Sequence, residues 1–224
     1  MVFDYNVYNP KTDKDIAVNY SVEDVIKAKA ANKTALQKEL GLEENPDAFM
    51  LGIVSRLTDQ KGLDLVECVL DQICAEDVQL VVLGTGEGKY QDMFTYYSRK
   101  YPERVSANIF YSEALSHRIY ASCDAFLMPS LFEPCGLSQL MSLRYGTLPI
   151  VRETGGLRDT VTPYNEVDGT GTGFSFTNYN AHEMLAIIRY AKKNFIFNDR
   201  RAWNENGSSC NEAGFLMGCI CKRV

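Results

Sequence analysis

A carboxylate, a proline, a small residue and a glycine open the stretch 133–143, Glu-Pro-Cys-Gly-Leu-Ser-Gln-Leu-Met-Ser-Leu. It lies between an apolar run ending at Pro129 and a second short run at 148–151. The order is strand, tight turn with Glu133, helix opening at Gly136, strand. A helix that begins directly after a glycine-containing turn leaves its first N–H groups unpaired and pointing beyond the sheet edge, where an anion suits them. Glu133 beside such a site adds acceptors for hydroxyl groups. A ligand with one anionic and one hydroxylated part satisfies both, and a sugar nucleotide is such a ligand.

Elements on either side must hold that turn. After Pro46, apolar runs of strand length alternate with amphipathic helical stretches. The expected strands are 49–54, 79–83, 107–111, 125–128 and 148–151, and the expected helices 63–74, 89–101, 115–122, 137–145 and 181–193. That alternation predicts an α/β fold, a Rossmann-like parallel sheet with helices on both faces. Ligands on such sheets bind at the carboxyl ends of strands, where the turn at Glu133 falls. Ahead of the sheet, 21–41 reads as a helix with Ser21 as N-cap, Asp24 beside the capping-box position and Gly41 as its stop.

Composition narrows the function classes. With 224 residues, 46% of them apolar, the chain can bury a core of its own. A net charge of −6 argues against nucleic acid or an anionic membrane surface as partner. No apolar run approaches the ~20 residues of a membrane span, and Met1-Val2-Phe3-Asp4 does not open a signal peptide, so a cytoplasmic location is expected. The seven cysteines show no zinc spacing, and the two histidines, His117 and His182, share no motif, so neither a metal site nor a histidine triad is expected. Cys68, Cys74 and Cys123 read as small core residues. Asp13-Lys14-Asp15 has the Asp-x-Asp form of a metal-binding motif but precedes the sheet, and reads as solvated linker.

The block Phe132-Glu133-Pro134-Cys135-Gly136-Leu137, followed by Arg144-Tyr145-Gly146, Pro149-Ile150-Val151-Arg152 and Thr154-Gly155-Gly156-Leu157-Arg158-Asp159-Thr160-Val161, resembles the donor-binding half of bacterial glycogen and starch synthases. Ser55-Arg56-Leu57 and Gln60-Lys61-Gly62-Leu63-Asp64 match the same family upstream, and the resemblance runs from about Asp4 to about Glu205. It implies the C-terminal half of a two-domain GT-B glycosyltransferase. In that frame residues 1–20 form a leading segment, 21–202 the nucleotide-sugar-binding domain and 203–224 an atypical tail.

The resemblance also assigns roles. Arg56 and Lys61 are the cations expected to stabilise the leaving diphosphate, the main electrostatic need of the reaction. Without the resemblance they read as solvated surface charges. Glu133 is expected against the donor sugar, stabilising positive charge at its anomeric carbon; its other reading is an acid favouring the following helix N-terminus. Cys135, Gly136, Leu137 and Ser138 would offer N–H groups, and Ser138 its hydroxyl, to the phosphates, although Cys135 equally suits a tight turn. Thr154, Gly155 and Gly156 would bring a second backbone segment close to the ligand. Tyr111, read as the end of a strand, would stack on the nucleotide base or else pack on a loop. Gly84-Thr85-Gly86-Glu87-Gly88 looks like a phosphate loop but reads better as a tight strand-to-helix turn lining the cleft. Related retaining enzymes often carry a second glutamate eight residues after the first; Met141 stands there instead, which points to the glycogen synthase branch.

The tail departs from the family. From Asn206 to Val224 no helical stripe is seen, and three cysteines, Cys210, Cys219 and Cys221, crowd together. One back-translation read a nucleotide later gives Met-Val-Ala-Arg-Ala-Met-Lys-Gln-Asp-Phe-Ser-Trp-Asp-Val-Ser-Ala-Lys-Glu, which looks like the family's ending. A single-nucleotide insertion near the Glu205 codon is therefore expected, with a divergent tail as the alternative. The expected function is transfer of glucose from ADP-glucose to the non-reducing end of an α-1,4-glucan, with retention. No cofactor or metal is expected, Arg56 and Lys61 taking the cation's part. The glucan acceptor would be held by an N-terminal domain outside this chain, so the chain alone is expected to be inactive. The alternatives are a non-catalytic nucleotide-binding module or a related transferase using a UDP-sugar.

Overall fold

Strands buried on both faces need unbroken apolar runs, and Val78–Leu83, in which every residue is buried, meets that requirement. The computed structural model describes residues 7–167 and 170–204. Its strands β1 (Phe49–Val54), β2 (Val78–Leu83), β3 (Val105–Asn108), β4 (Ala125–Met128), β5 (Leu148–Arg152) and β6 (Phe174–Phe176) form one parallel sheet in the order β3-β2-β1-β4-β5-β6. Helices α1 (Val25–Leu40), α2 (Leu63–Ala75), α3 (Gly88–Lys100), α4 (Glu113–Ser122), α5 (Leu137–Arg144), α6 (Gly155–Thr160) and α7 (Ala181–Asn204) connect and cover it. The expected Rossmann-like sheet with helices on both faces is what forms.

Alternate residues of β1 feed two cores. Phe49, Leu51 and Ile53 join Val66, Val69 and Leu70 of α2, Phe94 of α3, and Met184 and Ile188 of α7. Met50 turns the other way, to Leu36 of α1 and Leu115 and Ile119 of α4. The chain runs outward from β1 through β2 to β3, then returns to β4 on the opposite side of β1. This reversal leaves a crevice between the loops after β1 and β4, the place where such sheets take ligands.

Most element boundaries shift by a residue or two, α7 runs on from the expected 193 to Asn204, and two further departures have clear causes. β3 covers 105–108 in place of 107–111, because its partner β2 ends at Leu83 opposite Asn108, and residues beyond have no ladder to join. α1 begins at Val25, four residues after the expected Ser21 cap: the Asp24 carboxylate accepts from the Ser21 N–H at 2.6 Å and from its hydroxyl at 3.0 Å, so these groups close a turn ahead of the helix. Gly41 stops α1 in the left-handed conformation, as expected. α6 and β6, short and glycine-flanked, carry too little periodicity to be expected at all.

One polar stripe of α1, Lys29, Asn32, Lys33 and Gln37, is buried, which its sequence pattern does not suggest. Lys33 pairs with Asp124 at 2.7 Å and donates to the carbonyl of Ala48. Lys29 donates to the carbonyls of Tyr120 and Ala121 at the end of α4 and to Thr147 Oγ1 at 2.7 Å. A cation suits a helix C-terminus, where carbonyls lack partners.

The reading of Asp13-Lys14-Asp15 as solvated linker is overturned for Asp13, which is buried. Its Oδ2 lies 2.6 Å from His117 Nδ1 and accepts from the Tyr145 hydroxyl, while Oδ1 accepts from the Asp15 N–H at 2.9 Å. Ile16 and Tyr20 are buried as well, so the described part of the leading segment, 7–20, is held against α4 and Tyr145 by hydrogen bonds and apolar contact together. Burial alone would raise the Asp13 carboxyl, but the bonds from His117 and Tyr145 outweigh it and hold the group below its ordinary range. A depressed carboxylate contributes stability above its unfolded value of about 3.9 and loses it as pH falls through the folded value. Asp13→Asn should therefore cost about 1–3 kcal/mol in urea denaturation at neutral pH. The gap from wild type should narrow below about pH 4; a gap that stays constant would exclude this role.

Candidate functional site

The crevice at the sheet's reversal is built from two loops that approach within contact. The loop after β1 carries Ser55, Arg56 and a single 3-10 turn, Asp59–Lys61, closed by Gly62 in the left-handed conformation. A Cβ on Gly62 would stand 2.0 Å from the Pro129 carbonyl oxygen, so only glycine lets this loop meet the one after β4. The loop after β4 runs from Pro129 through Glu133 to Gly136, which opens α5.

Lys61 and Glu133 join the loops. Lys61 Nζ donates to Glu133 Oε2 at 2.5 Å, with side chains 18% and 11% exposed. Both are thus largely withdrawn from water, where a carboxylate needs a partner. Ser130 Oγ donates to the same oxygen at 3.4 Å. An ammonium has three donors, so Lys61 retains capacity for a second acceptor beside Glu133. Arg56 is exposed and lines the same cavity as Lys61, together with Ser55, Ser130 and Ser138.

A second cavity, of about 280 Å³, adjoins the first through Val54, Ser55 and Arg56. Its wall includes Tyr8, Gly84, Thr85, Tyr111 and Glu113. Tyr111 does not end a strand: β3 stops three residues earlier, and Tyr111 directly precedes Ser112, whose hydroxyl accepts from the Leu115 N–H at the start of α4. Its ring is 85% exposed, which removes the alternative of a tyrosine packed on a loop. Tyr8 is a wall residue the sequence did not single out. Its ring stacks on His117 at 4.6 Å, and its phenol is raised first by burial, then by the Glu113 carboxylate. Gly84 and Thr85 line this cavity as the glycine cluster suggested, and a Cβ on Gly84 would meet the Ser55 carbonyl oxygen at 1.9 Å.

Gly136 caps α5, with Leu137 and Ser138 as the first helical residues, and Cys135 exposed on the turn before them. Thr154 caps α6, and Gly155 and Gly156 open it. The backbone these glycines approach is that of the turn: a Cβ on Gly155 would stand 2.3 Å from the Glu133 carbonyl oxygen, and the Gly156 N–H donates to that oxygen at 3.0 Å. Arg56, Lys61 and Ser138 in the first turn of α5 thus line one cavity, Glu133 is paired to Lys61, Tyr111 lies in the adjoining cavity, and Gly155 and Gly156 meet the backbone of the turn. Among the described residues one set of metal-ligating side chains comes together, Asp13, Asp15 and His117. Asp13 spends its oxygens there on His117, Tyr145 and the Asp15 amide.

A parallel sheet with this reversal, and a crevice at its carboxyl edge lined by Arg56, Lys61 and Ser138, define a Rossmann-like α/β domain. Residues 33–209 match the family described as Glycosyl transferases group 1, and the chain belongs to that family. It is similar to the glycogen synthase of Lachnospira eligens, 69% identical over 202 residues that cover 90% of this chain and 42% of that protein. It is also similar to the glycogen synthase of Clostridium acetobutylicum, 54% identical over 202 residues, 90% of this chain and 42% of that protein. The chain therefore spans about two-fifths of the length of these curated relatives. Among solved structures, the catalytic domain of starch synthase IV from Arabidopsis thaliana, bound to ADP and acarbose, superposes with a TM-score of 0.84 at 29% identity, covering 98% of this chain and 43% of that one. The fold is the C-terminal half of the GT-B architecture. No helix among the described residues is long and apolar enough to cross a membrane. The tail beyond Asn204, with the expected change of frame, lies outside the described residues.

Breaking the Lys61–Glu133 pair should be costly because both groups are largely buried. Lys61→Met should destabilise by about 1–3 kcal/mol, and combining it with Glu133→Gln should recover part of that loss. Urea denaturation of the two single variants and the double variant measures the coupling. Strictly additive losses would show that the pair contributes nothing.

Proposed function

We propose that this chain is the donor-binding half of a retaining glucosyltransferase of the glycogen and starch synthase type. It would take ADP-glucose in the crevice and, with a second domain, pass glucose to the non-reducing end of an α-1,4-glucan. The observation that carries this reading is that Lys61, which lines one cavity with Arg56, is paired to the largely buried Glu133.

Breaking the bond between the anomeric carbon and the diphosphate oxygen gathers negative charge on the diphosphate. Arg56, the remaining donors of Lys61 and the N–H groups of Leu137 and Ser138 would receive it, held in place before the reaction begins. Glu133, with Cys135 and Gly136 completing its turn, would meet the hydroxyls of the sugar and the positive charge at the anomeric carbon. Its ion pair with Lys61 fixes its direction. Tyr111, with a free ring face, would stack on the base. Thr154, Gly155 and Gly156 would support the same turn from behind. The two cations would neutralise the diphosphate without a metal ion. The acceptor would lie on the second domain, so this chain alone should bind the donor without turning it over.

Calorimetric titration with ADP should give saturable binding, and Arg56→Ala should weaken it at least ~10-fold, equivalent to about 1.4 kcal/mol. A parallel titration with UDP should show weaker binding, and labelled glucose should not enter glycogen in the presence of the chain alone. ADP binding unaffected by Arg56→Ala would refute the assignment of the crevice. Tighter binding of UDP would transfer it to a UDP-sugar enzyme.

A further inference from the structure

Four successive carbonyl oxygens, from Ser130 to Glu133, are each taken by a donor from outside their turn. Arg152 donates through Nε to Ser130 at 2.9 Å and through Nη2 to Leu131. Gln60 Nε2 donates to Phe132 at 3.0 Å, and the Gly156 N–H to Glu133 at 3.0 Å. The Leu131 N–H donates back to the Gln60 carbonyl at 2.9 Å. Apolar packing cannot hold this turn, because Leu131 and Phe132 are 50% and 55% exposed. These directed bonds fix it instead.

Gln60 precedes Lys61 and Phe132 precedes Glu133, so the bonds between Gln60 and 131–132 set the spacing of the ion pair one residue further on. Arg152 stands at the end of β5, with its guanidinium 5.6 Å from the centre of the Tyr179 ring, whose hydroxyl donates to Asp64 on α2. A planar guanidinium can present two parallel N–H groups to adjacent carbonyls, which a lysine cannot do. We propose that Arg152 and Gln60 are positioning residues for Glu133, orienting its carboxylate toward the sugar end of the donor without touching the ligand. The functional part of this inference rests on the donor-site reading above.

The experiment combines amide hydrogen exchange with paired titrations of ADP and ADP-glucose. Arg152→Met should speed exchange of the Leu131 and Gly156 amides at least ~10-fold while the amides of β4 and β5 keep their protection. It should weaken ADP-glucose at least ~5-fold and leave ADP within ~2-fold, since ADP lacks the sugar that Glu133 would meet. Arg152→Lys should restore part of both effects, and it carries the comparison if the methionine variant does not fold. Gln60→Glu, which replaces the donor by an acceptor of the same shape, should act in the same direction. Uniform loss of protection, unchanged exchange, or equal loss of ADP and ADP-glucose binding would each overturn the proposal. If the wild type binds neither nucleotide, the donor-site reading fails, and the exchange data still decide whether Arg152 and Gln60 hold the turn.

Discussion

The site depends on one contact across the middle of the sheet, the ion pair between Lys61 on the loop after β1 and Glu133 on the loop after β4. Those strands are neighbours only because the chain reverses its direction of travel at β1. The reversal opens a crevice, and the pair fixes a cation in its wall with an anion beside it. Neither group could stay so far from water alone. Together they leave a lysine with spare donors beside a carboxylate of fixed direction.

Close backbone approach is the second constraint. Gly62 lets the first loop touch Pro129, and Gly155 lets a third segment touch Glu133, each at a distance that excludes a Cβ. Glycine at these places serves the meeting of loops before it serves any ligand. The turn between them exposes Leu131 and Phe132 and satisfies its carbonyls, an arrangement suited to a surface that must be rigid without being covered.

The strand-and-helix alternation was legible because burial on both faces demands apolar strands, and β1 and β4 have the bounds their sequences suggested. Arg56, Lys61 and Glu133 stood out through ordered motifs; the structure puts Arg56 and Lys61 in the wall of one cavity and pairs Glu133 with Lys61. What was hidden depended on partners distant in sequence. Nothing near Asp13 in the chain announces His117 or Tyr145, and the lysines of α1 look like a solvated face until Asp124 and the α4 carbonyls are known. The limits of β3 belong to β2 as much as to its own residues. Arg152 and Gln60 lay inside matched motifs, but their bonds go to main-chain oxygens, which leave no mark on the sequence of the turn they hold.

The most direct test of the account is to follow the backbone amides of the chain by NMR while ADP is added. Saturable shifts should concentrate at Arg56, Lys61, Gly84, Tyr111, Leu137 and Ser138, with the far edge of the sheet at β6 unmoved. Shifts centred elsewhere, or none at concentrations that saturate related donor sites, would contradict the claim that the crevice between β1 and β4 is where this protein holds its nucleotide.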